Sequence, residues 1–224
     1  MTPVFSPCLE ILPAAQRRLW PELAETPAEF TLYGGTAIAL RLAHRQSADF
    51  DFFSLESFEP SALLRKIPYL NGAAPRQAAP NTLSVNLDRG GPVQLSYFGA
   101  LGIGQVAPAE SVEGPGFKVA SLIDLAGTKV AVLPQRVEFR DYLDVHALLT
   151  KAEMPLAEML AAARVIYGDQ FNPLLTLKAL AYYEDFTLAE LSKSIRNDLS
   201  EAATTTDFQK LPTLTAFRER EANS

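Results

Sequence analysis

Two aspartates, Asp49 and Asp51, stand two positions apart in the run DFDFF of residues 49–53. Acidic and apolar residues alternate in this run, which is the period of a β-strand, so both carboxylates are expected on one face. Two like charges held this close repel each other unless a cation neutralises them. A hard divalent cation shared by the pair would do so, and it would supply what phosphoryl or nucleotidyl transfer requires. The alternative is an edge strand with one solvated face, on which an Asp-x-Asp pair has no chemical role.

A glycine pair, Gly34 and Gly35, stands between a short strand candidate and a helix candidate, 36–44. Glycines allow the backbone to approach a ligand closely, and the free N–H groups at a helix N-terminus bind phosphate oxygens. Thr36 is predicted to cap this helix. Because Gly34 precedes Asp49 by only 15 residues, a phosphate-binding turn and a metal site are expected side by side.

The composition is that of an ordinary globular protein, with 48% hydrophobic and 21% charged residues. The net charge of -6 weakens the case for a general nucleic-acid-binding protein but leaves room for a local basic groove. One cysteine, Cys8, and two histidines, His44 and His146, argue against a disulfide framework and a zinc site. The N-terminus lacks the basic start of a signal peptide, and no apolar run reaches the length of a membrane span. A cytoplasmic protein without membrane contact is expected.

Strand and helix patterns mix in the first half of the chain and helices dominate the second. This predicts an α+β fold, with a mixed sheet and flanking helices followed by a helical C-terminal domain. The predicted strands are 30–33, 49–53, 82–87 and 92–98, the last two joined by a hairpin turn at residues 89–91. The predicted helices are 9–25, 36–44, 59–70, 121–133, 139–150, 156–167, 173–180 and 188–204. Residues 99–117 are predicted as a connection, so the expected domains are an α/β core, 1–117, and a mainly helical domain, 118–224, that closes a cleft over the aspartates.

The run GGTAIALRLAHRQSADFDFF, residues 34–53, resembles the first motif of the AbiEii/AbiGii-type nucleotidyltransferases. The run VASLIDLAGTKVAVL, 119–133, followed by RVEFRDYLDVHALL, 136–149, is similar to the downstream motifs of this family: a lysine on a helix, then Arg/Lys-Asp-x-x-Asp. The resemblance implies the polymerase-β-like nucleotidyltransferase fold. Members of the family are often toxins of toxin–antitoxin or phage-defence pairs.

The resemblance also implies a role for each matching residue. The metal, Mg²⁺ or Mn²⁺, would be bound by Asp49 and Asp51. The further catalytic residues would be Lys129, Asp141 and Asp144, of which the two acids share one helix face and could accept a proton or orient an acceptor hydroxyl. The nucleotide-binding residues would be Gly34, Gly35, Thr36, Arg45, Lys129 and Arg140.

Some of these residues have a plainer interpretation. Lys129 could be a solvated helix lysine, as most lysines are. Asp144 could be a helix-surface acid paired with Arg140, four positions earlier. Arg45 could bind phosphate or form an ion pair with Asp49.

Polymerase-β-type transferases usually carry a third carboxylate on a later strand. The matching strand here, 92–98, offers Gln94 and Ser96, and neither is acidic. Asp88, at the end of the preceding strand, could substitute only if the strand register brought it beside the pair. With two carboxylates, one metal or a weakly held second metal is expected.

Two functions from different classes follow. The first is a metal-dependent nucleotidyltransferase that moves a nucleoside monophosphate from an NTP to an acceptor. RNA such as tRNA is the favoured acceptor, a protein hydroxyl is the second choice, and a cognate antitoxin protein is an expected partner. The alternative is a catalytically weakened protein of the same fold that regulates by binding a nucleotide or a partner, and the missing third carboxylate keeps it open.

Overall fold

The computed structural model describes residues 3–183 and 188–217. The chain divides into two compact units, which we call the first unit, Met1–Ile103 with Ala109–Ala120, and the second unit, Gly104–Pro108 with Ser121–Ser224. The division therefore differs from a single boundary after residue 117. A short segment inside the predicted connection belongs to the second unit, and the chain passes between the units three times.

The first unit contains an eight-stranded sheet with the strand order β1-β7-β8-β2-β3-β6-β5-β4. The strands are β1 (Val4–Phe5), β2 (Thr31–Tyr33), β3 (Asp49–Phe53), β4 (Pro75–Ala79), β5 (Thr82–Asp88), β6 (Pro92–Phe98), β7 (Glu110–Val112) and β8 (Lys118–Val119). Three neighbouring pairs, β1/β7, β8/β2 and β3/β6, are parallel, and the other four are antiparallel. The predicted mixed sheet of an α+β fold is confirmed.

Three α-helices accompany this sheet: α1 (Ala14–Leu19), α2 (Gly34–Leu42) and α3 (Pro60–Lys66). The single helix predicted for residues 9–25 is wrong. Two 3-10 helices, Leu9–Ile11 and Trp20–Glu25, flank α1 instead. Pro13 stands at the N-cap of α1, where its missing N–H and fixed φ end the preceding turn.

In the described part of the second unit the α-helices are α4 (Leu122–Val132), α5 (Phe139–Thr150), α6 (Leu156–Tyr167), α7 (Pro173–Ala181) and α8 (Lys193–Thr205). All five were predicted, but α8 begins five residues later than expected. The Ser192 hydroxyl accepts a hydrogen bond from the Ile195 N–H at 3.3 Å and thereby caps the helix at that point. No helix within the described residues is long and apolar enough to cross a membrane.

The central strands of the sheet have one apolar and one polar face. On β3, Phe50 and Phe52 are fully buried, and Phe50 lies against Trp20 with ring centroids 6.4 Å apart. On β6, Leu95 and Tyr97 are fully buried as well. The aspartates of β3 alternate with these residues and therefore project from the opposite face.

The segment 104–108 is joined to the second unit through Asp124, which is 1% exposed. Its carboxylate accepts hydrogen bonds from the N–H groups of Val106 at 2.7 Å and Ala107 at 3.1 Å. The Ser121 hydroxyl, the N-cap of α4, donates to the same carboxylate at 2.5 Å. Three donors satisfy this buried charge, which would otherwise be costly.

We expect Asp124→Ala to lower the free energy of unfolding by about 2–4 kcal/mol, because it leaves the half-buried N–H groups of Val106 and Ala107 without their acceptor. Denaturant unfolding followed by circular dichroism measures the change. The control is Asp169→Ala, at an exposed position, for which a change within about 0.5 kcal/mol is expected. Equal effects of the two variants would contradict the anchoring role of Asp124.

Candidate functional site

The two aspartates of β3 lie on the same face of the sheet, as the sequence predicted. Asp49 and Asp51 are half-buried. Phe50 and Phe52, which alternate with them along the strand, have no exposed surface. Two residues along a strand are separated by about 7 Å, so the side chains of the pair can converge on one ligand.

The turn from β2 into α2 brings a glycine directly against one of these carboxylates. Tyr33, the last residue of β2, pairs with Asp51 of β3. Gly34 follows with φ of +77°, and a Cβ atom built there would lie 2.8 Å from Oδ2 of Asp51. A side chain at this position would therefore strain the backbone and push the Asp51 carboxylate aside. The free N–H groups of the first turn of α2 begin at this point.

Thr36 occupies a different place from the predicted helix cap. The helix begins at Gly34 with Tyr33 as its N-cap, and Thr36 is its third residue, 1% exposed. Its hydroxyl donates to the backbone carbonyl of Asp49 and lies 2.7 Å from the hydroxyl of Ser47. Thr36 thus ties α2 to the start of β3, and Ser47, which the sequence analysis did not single out, completes this contact. A phosphate contact by Thr36 stays a prediction.

The strand next to the aspartates carries no acid beside them. Because β6 runs parallel to β3, Gln94 stands beside Asp49 and Ser96 beside Asp51. Gln94 accepts a hydrogen bond from Arg76 at 2.6 Å. Ser96 lies 3.2 Å, oxygen to oxygen, from the hydroxyl of Ser84 on β5.

The register does not bring Asp88 beside the pair. Asp88 on β5 faces Pro92 on β6, and Pro92 stands two positions before Gln94. The carboxylate of Asp88 accepts a hydrogen bond from the N–H of Gly91 at 2.9 Å. It therefore belongs to the hairpin turn. Among the described residues no group of three or more His, Cys, Asp or Glu side chains could hold a metal ion. Two carboxylates still suit Mg²⁺, which is commonly held by one or two carboxylates together with water and substrate phosphates.

Two further predicted ligands lie on or just after α2. Gly35 is the second residue of the helix, within its first turn. The helix ends at Leu42 rather than residue 44, since Ala43 has a left-handed backbone with φ of +47°. Arg45 follows, half-buried, and its Nη1 donates to the carbonyl of Gln46 at 2.9 Å.

In the second unit, three predicted catalytic residues form one buried cluster. The ammonium of Lys129 on α4 lies 2.7 Å from Asp141 and 2.9 Å from Asp144, both on α5. Lys129 is 6% exposed, Asp141 2% and Asp144 0%. The interpretation of Lys129 as a solvated lysine is therefore wrong, and Asp144 is a buried member of this cluster rather than a surface acid.

The arginine beside Asp141 is Arg136 and not the predicted Arg140. Arg136 Nε lies 2.9 Å from Oδ2 of Asp141, and its Nη2 lies 3.3 Å from Oδ1, while its side chain is 60% exposed. Arg140 is exposed. Among the described residues, the cluster thus contains two cations and two anions. No local sequence pattern indicated Arg136, because the need for a second cation arises only once both acids are buried.

Comparison with known proteins relates the chain to a protein family, to a sequence relative and to solved structures. The family described as "Nucleotidyl transferase AbiEii toxin, Type IV TA system" matches residues 18–219. An uncharacterized protein of Aquifex aeolicus (strain VF5) is 28% identical over 159 residues, which cover 70% of this chain and 75% of that protein. The crystal structure of a candidate nucleotidyltransferase from H. pylori superposes with a TM-score of 0.53 at 17% identity, over 85% of this chain and 90% of that one.

The H. pylori structure shows that the fold is shared. The MenT4 nucleotidyltransferase toxin of Mycobacterium tuberculosis H37Rv is more distant, with a TM-score of 0.43 and 16% identity over 85% of this chain and 90% of that chain. The family match spans nearly the whole chain and includes both the Asp49–Asp51 strand and the Lys129 cluster. The chain belongs to the AbiEii family of nucleotidyltransferase toxins.

Proposed function

We propose that the protein transfers a nucleoside monophosphate from an NTP to an acceptor, in a reaction that depends on Mg²⁺ or Mn²⁺. The observation that supports this most directly is the contact between Gly34 and Asp51. This contact brings the pair of carboxylates on one face of β3 next to the N-terminus of α2. These are the two groups that a metal-bound triphosphate needs, a metal ligand and a set of N–H donors.

In this proposal Asp49 and Asp51 hold the metal, which when bound neutralises charge on the triphosphate. The N–H groups of the first turn of α2, at Gly34 and Gly35, bind phosphate oxygens. Thr36 fixes the distance between this turn and β3 through its bond to the Asp49 carbonyl. Arg45, just beyond the same helix, contributes positive charge for the phosphates.

We further propose that Lys129 contacts the triphosphate. An ammonium group has three N–H donors, and two of them are directed at Asp141 and Asp144, so one is left for a phosphate oxygen. Asp141 and Asp144 hold the ammonium in place and are the proposed acceptors for the proton of the attacking hydroxyl. Arg140, exposed on α5, remains a proposed phosphate ligand.

The favoured acceptor is RNA, such as a tRNA end, and a protein hydroxyl is the second choice. The support is membership of a toxin family of type IV toxin–antitoxin systems, since modification of RNA or protein by a nucleotide accounts for toxicity. A cognate antitoxin protein and a part in phage defence belong to the same proposal. Because NTPs and RNA are its substrates, we expect the reaction in the cytoplasm.

A second candidate function is a regulator that binds a nucleotide or a partner with little transfer activity. It is favoured by Gln94 and Ser96, which occupy the strand positions beside the two aspartates where a third carboxylate would otherwise stand. The two functions differ in one measurement. If the protein is a regulator, binding of Mg-NTP raises the melting temperature of the protein, but no labelled product forms with RNA or protein.

We expect Asp49→Asn and Asp51→Asn each to reduce transfer of α-labelled nucleotide to RNA at least about 100-fold. Mutation of residues that only support a metal ligand already lowers metal affinity or activity by about 10–100-fold. The melting temperature without metal should stay the same or rise slightly, because one of two repelling charges is removed. The matched control is Asp88→Asn, because Asp88 lies on the same face of the sheet. The amide oxygen of the new side chain can still accept the hydrogen bond from the Gly91 N–H. Full activity of the Asp51 variant, or a large loss of metal-free stability, would show that the pair is structural.

The Gly34→Ala variant tests the contact between the turn and the carboxylate. Its Cβ would displace Oδ2 of Asp51, so we expect Mg-NTP affinity and transfer to fall at least about 10-fold, as for loss of a metal-supporting contact. The matched control is Gly72→Ala, because Gly72 has nearly the same φ, +78°, and no atom within 4 Å of an added Cβ. Both variants should lose about 1–2 kcal/mol from the left-handed backbone. Only Gly34→Ala should lose nucleotide binding, measured by calorimetry; equal affinities would contradict the proposed site.

The buried cluster predicts a large stability change for Lys129→Met. We expect the free energy of unfolding to fall by about 3–5 kcal/mol, because both buried acids then lose the ammonium group that they share. Adding Asp144→Asn to this variant should restore part of the loss, since one of the two acids that lost the ammonium no longer carries a charge. Lys193→Met, at an exposed position, is the control and should change stability by less than about 0.5 kcal/mol. A Lys129 variant as stable as this control would contradict the described cluster.

A further inference from the structure

Two phenylalanines lie on the polar face of the sheet beside the aspartate pair. Phe53 follows Asp51 by two residues on β3, so its side chain projects from the same face. Phe98 on β6 is its direct neighbour across the strands, and the two rings meet edge to face with centroids 5.5 Å apart at 88°. Tyr33 stacks on Phe53 from the other side at 4.8 Å.

Both phenylalanines are half-buried, unlike the aromatic residues on the opposite face of the same strands. Phe50, Phe52 and Tyr97 have no exposed surface and account for the core. The Phe53–Phe98 pair therefore leaves aromatic surface uncovered on a face that otherwise carries acids, hydroxyls and amides. Such an uncovered aromatic pair next to a site is where a ligand gains from apolar contact.

Small side chains border the pair on the side away from β2. Phe98 faces Thr82 across β5 and β6, and the next row toward the carboxylates consists of Ser96 and Ser84. The Phe98 ring therefore stands beside a low row of hydroxyl groups. Ser96 is buried, so a flat ligand resting against the ring has the half-buried hydroxyls of Thr82 and Ser84 near one edge.

The end of β3 that lies away from Phe53 is occupied by α2. Thr36 contacts the Asp49 carbonyl and the Ser47 hydroxyl there, and Gly34 adjoins Asp51. We take a triphosphate held by the aspartates and the first turn of α2 to extend its ribose and base away from that helix. Along β3 this direction leads to Phe53 and Phe98.

We propose that the Phe53–Phe98 pair is the contact surface for the nucleobase of the bound NTP. This inference rests on the proposed function, since it takes the phosphates to lie at Asp49, Asp51 and the start of α2. Stacking on aromatic side chains tolerates every base because each base has a π-face. The nearby hydroxyls of Thr82 and Ser84 can each donate or accept, so the site is expected to discriminate only weakly between the four bases.

The test compares a nucleotide with a ligand that has phosphates but no base. Dissociation constants of Mg-NTP and of Mg-tripolyphosphate are measured by calorimetry for the wild-type chain and for Phe98→Leu. A base contact on an aromatic ring is worth at least about 5-fold in affinity, so Phe98→Leu should weaken Mg-NTP by that factor and leave Mg-tripolyphosphate unchanged. Thr82→Trp is the second variant, because it covers the ring from outside without removing anything from the core, and the same pattern is expected.

The matched control is Phe58→Leu. Phe58 is a half-buried phenylalanine of the first unit that also meets a neighbour, Phe30, edge to face at 5.5 Å. Both affinities should be unchanged in this variant. Melting temperatures without ligand identify any variant that is merely unfolded.

The contrary results are distinct from failure of the proposed function. If wild-type protein binds Mg-NTP and Mg-tripolyphosphate equally well, or if Phe98→Leu and Thr82→Trp weaken both ligands alike, the base contact is wrong while the phosphate site stands. If Asp51→Asn leaves both affinities intact, or the wild-type chain binds neither ligand, the phosphate site itself is wrong, and the inference is overturned with it.

Discussion

The contact between the turn at Gly34 and the carboxylate of Asp51 constrains everything around it in the first unit. A β-carbon at Gly34 would lie 2.8 Å from Oδ2 of Asp51 and force it to move, so the backbone at Gly34 itself forms one wall of the site. Register maintains this contact, because Tyr33 pairs with Asp51 and a slip of one residue would turn both aspartates into the core. The buried Phe50 and Phe52 make such a slip costly, so packing on one face of β3 fixes the chemistry on the other.

The second unit meets the same physical problem, two neighbouring carboxylates, in a different way. Asp141 and Asp144 are neutralised from within the chain, by Lys129 and Arg136. A cluster of this kind is ordered before any ligand arrives, so it can hold an ammonium group in a defined position. In our proposal the aspartates of β3 hold a metal that comes with its substrate. The chain would thus combine an ion-pair cluster formed by its own side chains with a carboxylate pair that binds a metal.

Much of the fold and part of the site could be predicted because they depend on local periodicity. Alternation in DFDFF was enough to place Asp49 and Asp51 on one face, and helical spacing was enough for α5 and α6. The start of α2 was missed by two residues because it is set by the backbone of Tyr33 and Gly34, which carries no side-chain signal. The short strands β1, β7 and β8 are two or three residues long and exist only through pairing with distant segments. Arg136 was missed because its role depends on a charge balance that only tertiary structure assembles.

The strand order has a consequence for how the chain is completed during synthesis. β7 and β8 lie between β1 and β2 in the sheet, although they are made about a hundred residues after β1. Until residue 119 has left the ribosome, β1 lacks its partner and one edge of β2 is bare, the state in which strands pair with the wrong neighbours. The N–H groups of Val106 and Ala107 in the segment 104–108 likewise have no acceptor until Asp124 has been synthesised. A chain truncated before β7 would contain the aspartate strand β3 but would lack β7 and β8 of its sheet.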